Sequence, residues 1–124
     1  MQRIILLFCS LFLCLSSIYS QDTIKLEDAK NKVGDSVTVC GKVFNARFVS
    51  NATNEPTFLN IGAAYPNQLL TVVIWGDIRK QFNGNPEDIF LNKEICITGK
   101  IELYKEKPQI VIKNKSQISC SNCN

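Results

Sequence analysis

Two related stretches decide the fold: SVTVCGKVF at residues 36–44 and, in altered form, EICITGKIE at 94–102. Each alternates apolar and polar residues with a period of two, the pattern of a strand with one buried face. In the first, Val37, Val39, Gly41 and Val43 share one face, while Thr38, Cys40, Lys42 and Phe44 share the other. A glycine inside a long strand marks a place where a sheet bends sharply or another segment comes close. Each run also carries one cysteine followed by a Gly-Lys pair.

The pattern changes on either side of these runs. IKLEDAKNKVGDS sets Leu26, Ala29 and Val33 at near-helical spacing and stops at Gly34, which predicts a short helix leading into the first strand. The polar SNATNEP at 50–56 is a loop. A second strand is expected over Thr57–Ile61, a GAAYPN connection follows, and LLTVVIW gives a third strand over Leu69–Trp75. Between 77 and 92 helical and turn signals mix. A short helix is expected near Asp77–Gln81, with Gly84 and Pro86 stopping anything longer. Glu94–Tyr104 is read as the fourth strand, KEKP as a turn, Gln109–Lys113 as the fifth strand, and 119–124 as a flexible tail.

The first twenty residues read as a secretory signal: Arg3, then the apolar IILLFCSLFLCL, then SSIYS, with cleavage expected after Ser20. The apolar run is too short to span a bilayer of about 30 Å, so no membrane insertion is expected after cleavage. Lipidation is the alternative, although Phe8 and Leu13 are poor neighbours for a lipoprotein cysteine at 9 or 14. The expected location is secreted or periplasmic. Cleavage at Ser20 leaves 104 of the 124 residues, enough for a single domain, here 21–118, with a modest core. Of fourteen basic residues only Arg3 lies in the signal; thirteen against eleven acidic ones leave a net charge of +2. Strong non-specific binding to duplex DNA needs a larger positive field, so any nucleic-acid role must rest on local clustering.

Cys40, Cys96, Cys120 and Cys123 remain after the signal, and four thiols in an exported chain predict disulfides, with three possible connectivities. A four-cysteine zinc site is the alternative, for which Cys120 and Cys123 alone have ligand-like spacing. The chain has no histidine, which excludes histidine-based catalysis and ligation. No cofactor and no metal are expected.

Five strands with a helical connection between the third and fourth fit an all-β, five-stranded closed barrel. From Ile24 to Ile118 the chain resembles the single OB-fold modules of bacterial nucleic-acid-binding proteins, including modules attached to secreted nucleases. The resemblance rests on VTVCGKV, TFLNIGAAYPNQ, TVVIW, ICITGKI and KPQIVI. It implies that the first and fourth strands are antiparallel neighbours. If Cys40 then faces Cys96, Val39 meets Ile97, Thr38 meets Thr98 and Lys42 meets Glu94, all sensible pairs. Cys120 and Cys123 are left to pair with each other.

The resemblance also implies a ligand face across the second and third strands, framed by two loops. Those regions hold Arg47, Phe48, Phe58, Asn60, Tyr65, Trp75, Tyr104, Lys105 and Lys107. Rings stack on bases while cations track phosphates, so Arg47, Phe48, Asn60, Tyr65, Tyr104, Lys105 and Lys107 are the candidate contacts for single-stranded nucleic acid or another polyanion. Core packing is the competing role for Phe58 and Trp75. Asp77, Glu87, Asp88 and Glu94 form no acid–base or metal-ligand motif, so a non-catalytic binding module is expected. The alternative is a cell-envelope barrel that binds a protein or an oligosaccharide and ignores nucleic acid.

Overall fold

The computed structural model describes residues 22–123. The expected signal segment and its cleavage point lie outside the described residues. The chain is mostly β. In order it forms β1 (Thr23–Ile24), a 3-10 turn (Leu26–Asn31), β2 (Ser36–Phe48), β3 (Thr57–Ile61) and β4 (Leu70–Ile74). Then come α1 (Gly76–Arg79), α2 (Pro86–Ile89), β5 (Glu94–Lys100), β6 (Glu102–Tyr104), β7 (Lys107–Val111), a second 3-10 turn (Lys115–Gln117) and β8 (Ile118–Ser119).

The cysteine register stands as expected. β2 and β5 are antiparallel, with Cys40 opposite Cys96, Val39 opposite Ile97, Thr38 opposite Thr98 and Lys42 opposite Glu94. The Cys40–Cys96 disulfide joins Cα atoms 4.0 Å apart, and the two threonine hydroxyls bond at 2.8 Å beside it. The second disulfide is Cys120–Cys123.

Alternation carries the valines inward. Val37, Val39 and Val43 join Leu59, Ile61, Leu70, Val72, Ile74, Ile95, Ile97, Ile110 and Ile112 in one buried cluster. Gly41 faces the same way because nothing larger fits: a Cβ there would lie 2.7 Å from Ile61 Cγ2 and 3.0 Å from Leu26 Cδ2. Past Val43 the register against β3 shifts by one residue, with Val43 opposite Ile61 but Asn45 opposite Asn60. Phe44 is the extra residue of this bulge. One inserted residue inverts the facing of everything after it, so Ala46 packs on the core while Asn45 and Arg47 turn outward.

The expected closed five-stranded barrel is not what forms. Eight strands make a single open sheet in the order β6-β7-β4-β3-β2-β5-β8, with β1 added in parallel on β2. The edge of β5 that a closing strand would need is occupied: Cys96 and Ile97 pair with Ser119 and Ile118 of β8, and Gln117 Nε2 donates to the Thr98 carbonyl at 2.9 Å. β5 and β7 meet through side chains instead, with a Cβ on Gly99 placed 2.7 Å from Ile110 Cγ2. The single fourth strand expected over Glu94–Tyr104 breaks at Ile101, whose backbone bonds with Gly34 and Asp35. The last long strand is Lys107–Val111 and runs parallel to β4, two residues earlier than expected. The third-to-fourth connection holds two single-turn helices, not one, and the N-terminal helix is a 3-10 turn that buries Ala29. Ser119, where a flexible tail is expected to begin, lies in β8, and Cys120 and Cys123 pack against the core.

Candidate functional site

The outward half of β2, with β3, β4 and β7, presents one continuous face. Side chains alternate across a sheet, so the partners of the buried residues define rows on the far side. One row runs Asn45, Asn60, Thr71 and Gln109 and ends on Glu102 of β6. The adjacent row runs Arg47, Phe58, Val73 and Val111. The face is closely packed at its centre, where Asn60 is 5% and Val73 2% exposed.

A loop, residues 62–69, is tied down along the first row. The Tyr65 backbone N–H donates to Asn45 Oδ1 at 3.3 Å, and Lys107 Nζ donates to the Pro66 carbonyl. Gln68 Nε2 donates to Thr71 Oγ1 at 3.2 Å, and the Thr71 hydroxyl donates to Asn60 Oδ1 at 3.0 Å. Gln68 Oε1 is buried with no partner among the described residues.

These contacts bring together most of the candidates. Asn60 lies in the row, Tyr65 stands over it with 69% of its surface exposed, and Lys107 pins the loop from β7. Tyr104 is opposite Lys107 in the β6–β7 hairpin, and Lys105 Nζ sits 5.5 Å from the centre of the Tyr104 ring. Arg47 lies beside Phe58 in the second row. Among the described residues no carboxylate approaches Arg47 within ion-pair distance. Phe48 is separated from the rest: it follows Arg47 on the strand, faces the opposite way, and its ring lies under the Arg79 guanidinium.

Trp75 follows Val73 by two residues, at the end of the same face, and there it walls an open cleft of about 620 Å³. Asn54, Glu55, Gly76, Asp77 and Lys80 complete the lining. Asn54 and Glu55 hold left-handed backbones, φ 63° and 44°, where the Gly76 N–H reaches the Asn54 carbonyl at 2.8 Å. That bond closes the loop after β2 onto the end of β4.

The residue that sequence reading missed is Arg79. It donates to Thr57 Oγ1 at 2.7 Å, to both Glu87 oxygens at 2.5 and 2.9 Å, and to Asn85 Oδ1 at 3.0 Å. The bond to Arg79 holds the Glu87 carboxyl below its usual range, and Glu87 in turn raises the guanidinium. Nothing in the mixed turn signals of 77–92 marks this pair. Glu87 is thus tied up in an ion pair, while Asp77 accepts from the Ile78 N–H and Asp88 from the Asn85 amide. Among the described residues no cluster of three or more cysteine, aspartate or glutamate side chains is arranged to hold a metal. The face can bind through donors and rings.

No protein-family model matches the chain, and no curated protein matches it. Among solved structures it is similar to the crystal structure of a putative aspartyl-tRNA synthetase from Leishmania major Friedlin, with a TM-score of 0.53 and 8% sequence identity. The match covers 89% of this chain and 22% of that one. At that identity the likeness is one of fold.

Proposed function

We propose that this is an exported binding module of OB type whose outer face on β2, β3, β4 and β7 takes single-stranded nucleic acid without chemistry of its own. The observation that carries this reading is Arg47, which among the described residues has no carboxylate partner, set beside the Phe58 ring between rows whose central groups are uncharged, with Lys107 and Glu102 at the β6–β7 end. A cation and a ring at neighbouring positions suit a phosphate and the base attached to it. The strand order supports the OB assignment: an antiparallel β2–β3–β4 meander, a parallel strand on β4, and β5 returning to the other half of β2. Export is supported by the apolar N-terminal run and the two disulfides. Among the described residues no helix is long and apolar enough to cross a membrane.

A second reading, an envelope module for oligosaccharide or protein, is favoured by the amide-rich row and the Trp75 cleft. Titration of a labelled single-stranded oligonucleotide, followed by fluorescence anisotropy, separates the two. Micromolar or weaker binding that falls with salt is expected. No binding in low salt at millimolar phosphate, by a folded domain, removes the nucleic-acid reading.

A further inference from the structure

Asn45 and Asn60 stand opposite each other across β2 and β3, and in both the carbonyl oxygen is already used. The orientation of Asn45 is fixed by its partner, because the Tyr65 backbone N–H can only donate and must meet oxygen. Asn60 is fixed less directly. Its partner Thr71 has a single proton and also receives a bond from Gln68 Nε2. Turning Asn60 around would leave the Thr71 hydroxyl accepting from two NH₂ groups with no acceptor for its own proton. The observed arrangement leaves Gln68 Oε1 as the orphan, and buried carbonyls lacking a partner are better tolerated than buried N–H groups.

Both amides therefore turn NH₂ groups away from their internal partners, and among the described residues neither NH₂ group is bonded to a protein acceptor. Arg47 lies two residues beyond Asn45 on the same face, in the adjacent row opposite Phe58, within reach of the same ligand for a long side chain. The groups these three residues leave for a ligand are chiefly donors. Hydrogen bonds from such donors to an ionised acceptor are shorter and stronger than those to a neutral one, and an oxyanion can accept several at once.

We propose that Asn45, Asn60 and Arg47 form an oxyanion subsite that takes a phosphodiester of the bound strand. The identity of the oxyanion rests on the nucleic-acid reading above; the donor geometry does not. Phe58, opposite Arg47, then offers its ring to the neighbouring base. The subsite explains how a domain of small net charge holds a polyanion: two neutral amides add hydrogen bonds without adding charge.

The test uses the disulfide-intact domain and two probes. In the first, inorganic phosphate is titrated against ¹⁵N-labelled protein, and the side-chain amide signals of Asn45 and Asn60 are expected to shift together and saturate. In the second, Asn45→Asp, which keeps an oxygen for Tyr65 but replaces the donor with an acceptor, is expected to weaken oligonucleotide binding roughly tenfold. The loss should vanish on an oligonucleotide with an uncharged methylphosphonate backbone. If the wild type ignores oligonucleotides while the two amides still respond to phosphate, the functional reading falls and the subsite stands. If oligonucleotide binds and neither amide moves with it or with phosphate, the subsite is overturned. The amide titration needs no variant, so a poorly folded Asn45→Asp protein leaves it decisive.

Discussion

The guanidinium carbon of Arg79 lies 3.6 Å from the centre of the Phe48 ring, so the last residue of β2 is covered by a side chain from α1. The same group bonds Thr57 at the start of β3 and Glu87 in α2. The paired ends of β2 and β3, Phe48 and Thr57, are thus tied to α2 by one planar cation. Arg79→Ala should destabilise the fold by about 3 kcal/mol, since it strands a partly buried carboxylate and uncovers an aromatic ring. Arg79→Lys should recover little, because an ammonium cannot fork to Thr57, Asn85 and Glu87 at once. Urea denaturation of the three proteins measures both effects.

The same pair predicts a pH dependence. The folded state holds the Glu87 carboxyl below its ordinary range, chiefly through the Arg79 bond. A lowered folded value means that the unfolded chain takes up the proton first as pH falls. The stabilisation is therefore complete above the ordinary glutamate range and is lost as pH drops through that range toward the folded value. Glu87→Gln should be less stable at neutral pH and should show a flatter stability profile below about pH 5. Thermal denaturation between pH 3 and 7 tests this.

Closing the 56-residue separation between Cys40 and Cys96 stabilises by about 4 kcal/mol in the chain-entropy model. The separation of 3 between Cys120 and Cys123 gives about 2 kcal/mol. Replacing the first pair by serine should therefore lower the urea midpoint well beyond replacing the second. Non-reducing peptide mapping should recover both pairs, and a fragment joining Cys40 to Cys120 or Cys123 would contradict the fold.

Gly41→Ala is a small change with a definite target. Its new methyl would meet the γ2 carbon of Ile61, a fully buried side chain that cannot swing away. Overpacking of this kind destabilises by about 1–3 kcal/mol. If calorimetry finds the variant as stable as the wild type, the close approach of β3 and the Leu26 turn to β2 is wrong.

What could be read from the chain was local or symmetric. Period-two runs located β2 and β5, an apolar run and the loop signals around it located β3 and β4, and one assumed contact between Cys40 and Cys96 set the whole β2–β5 register. The open sheet was not legible, because it depends on Gln117, Ile118 and Ser119 occupying the β5 edge, a long-range competition that no periodicity records. The bulge at Phe44 was hidden for a related reason. A one-residue slip is visible only against the partner strand, and it decides that Arg47 faces the site and Phe48 does not. Asn60, Tyr65, Tyr104 and Lys107 came from the resemblance, and the structure places them along one face, whereas the Asn45–Tyr65 bond and the Arg79 anchor join residues twenty and eight apart with no shared motif.

Charge and stacking should separate on the proposed binding face. If three phosphates are contacted, the slope of log affinity against log salt should be near −2, taking roughly −0.7 per phosphate for single strands. Arg47 has no carboxylate partner among the described residues, so Arg47→Ala removes a phosphate contact without releasing a buried carboxylate, and it should make the slope shallower by about 0.7. Tyr104 is 60% exposed, so its ring can be removed without opening the core. Tyr104→Ala should leave the slope unchanged and weaken binding by about 1–3 kcal/mol at every salt concentration. Lys107 differs from both, because it anchors the Pro66 carbonyl; Lys107→Met should lower affinity only so far as the loop carrying Tyr65 loosens. Anisotropy titrations at four salt concentrations resolve the three behaviours. Equal slopes for wild type and Arg47→Ala would place the phosphate contacts elsewhere on the domain.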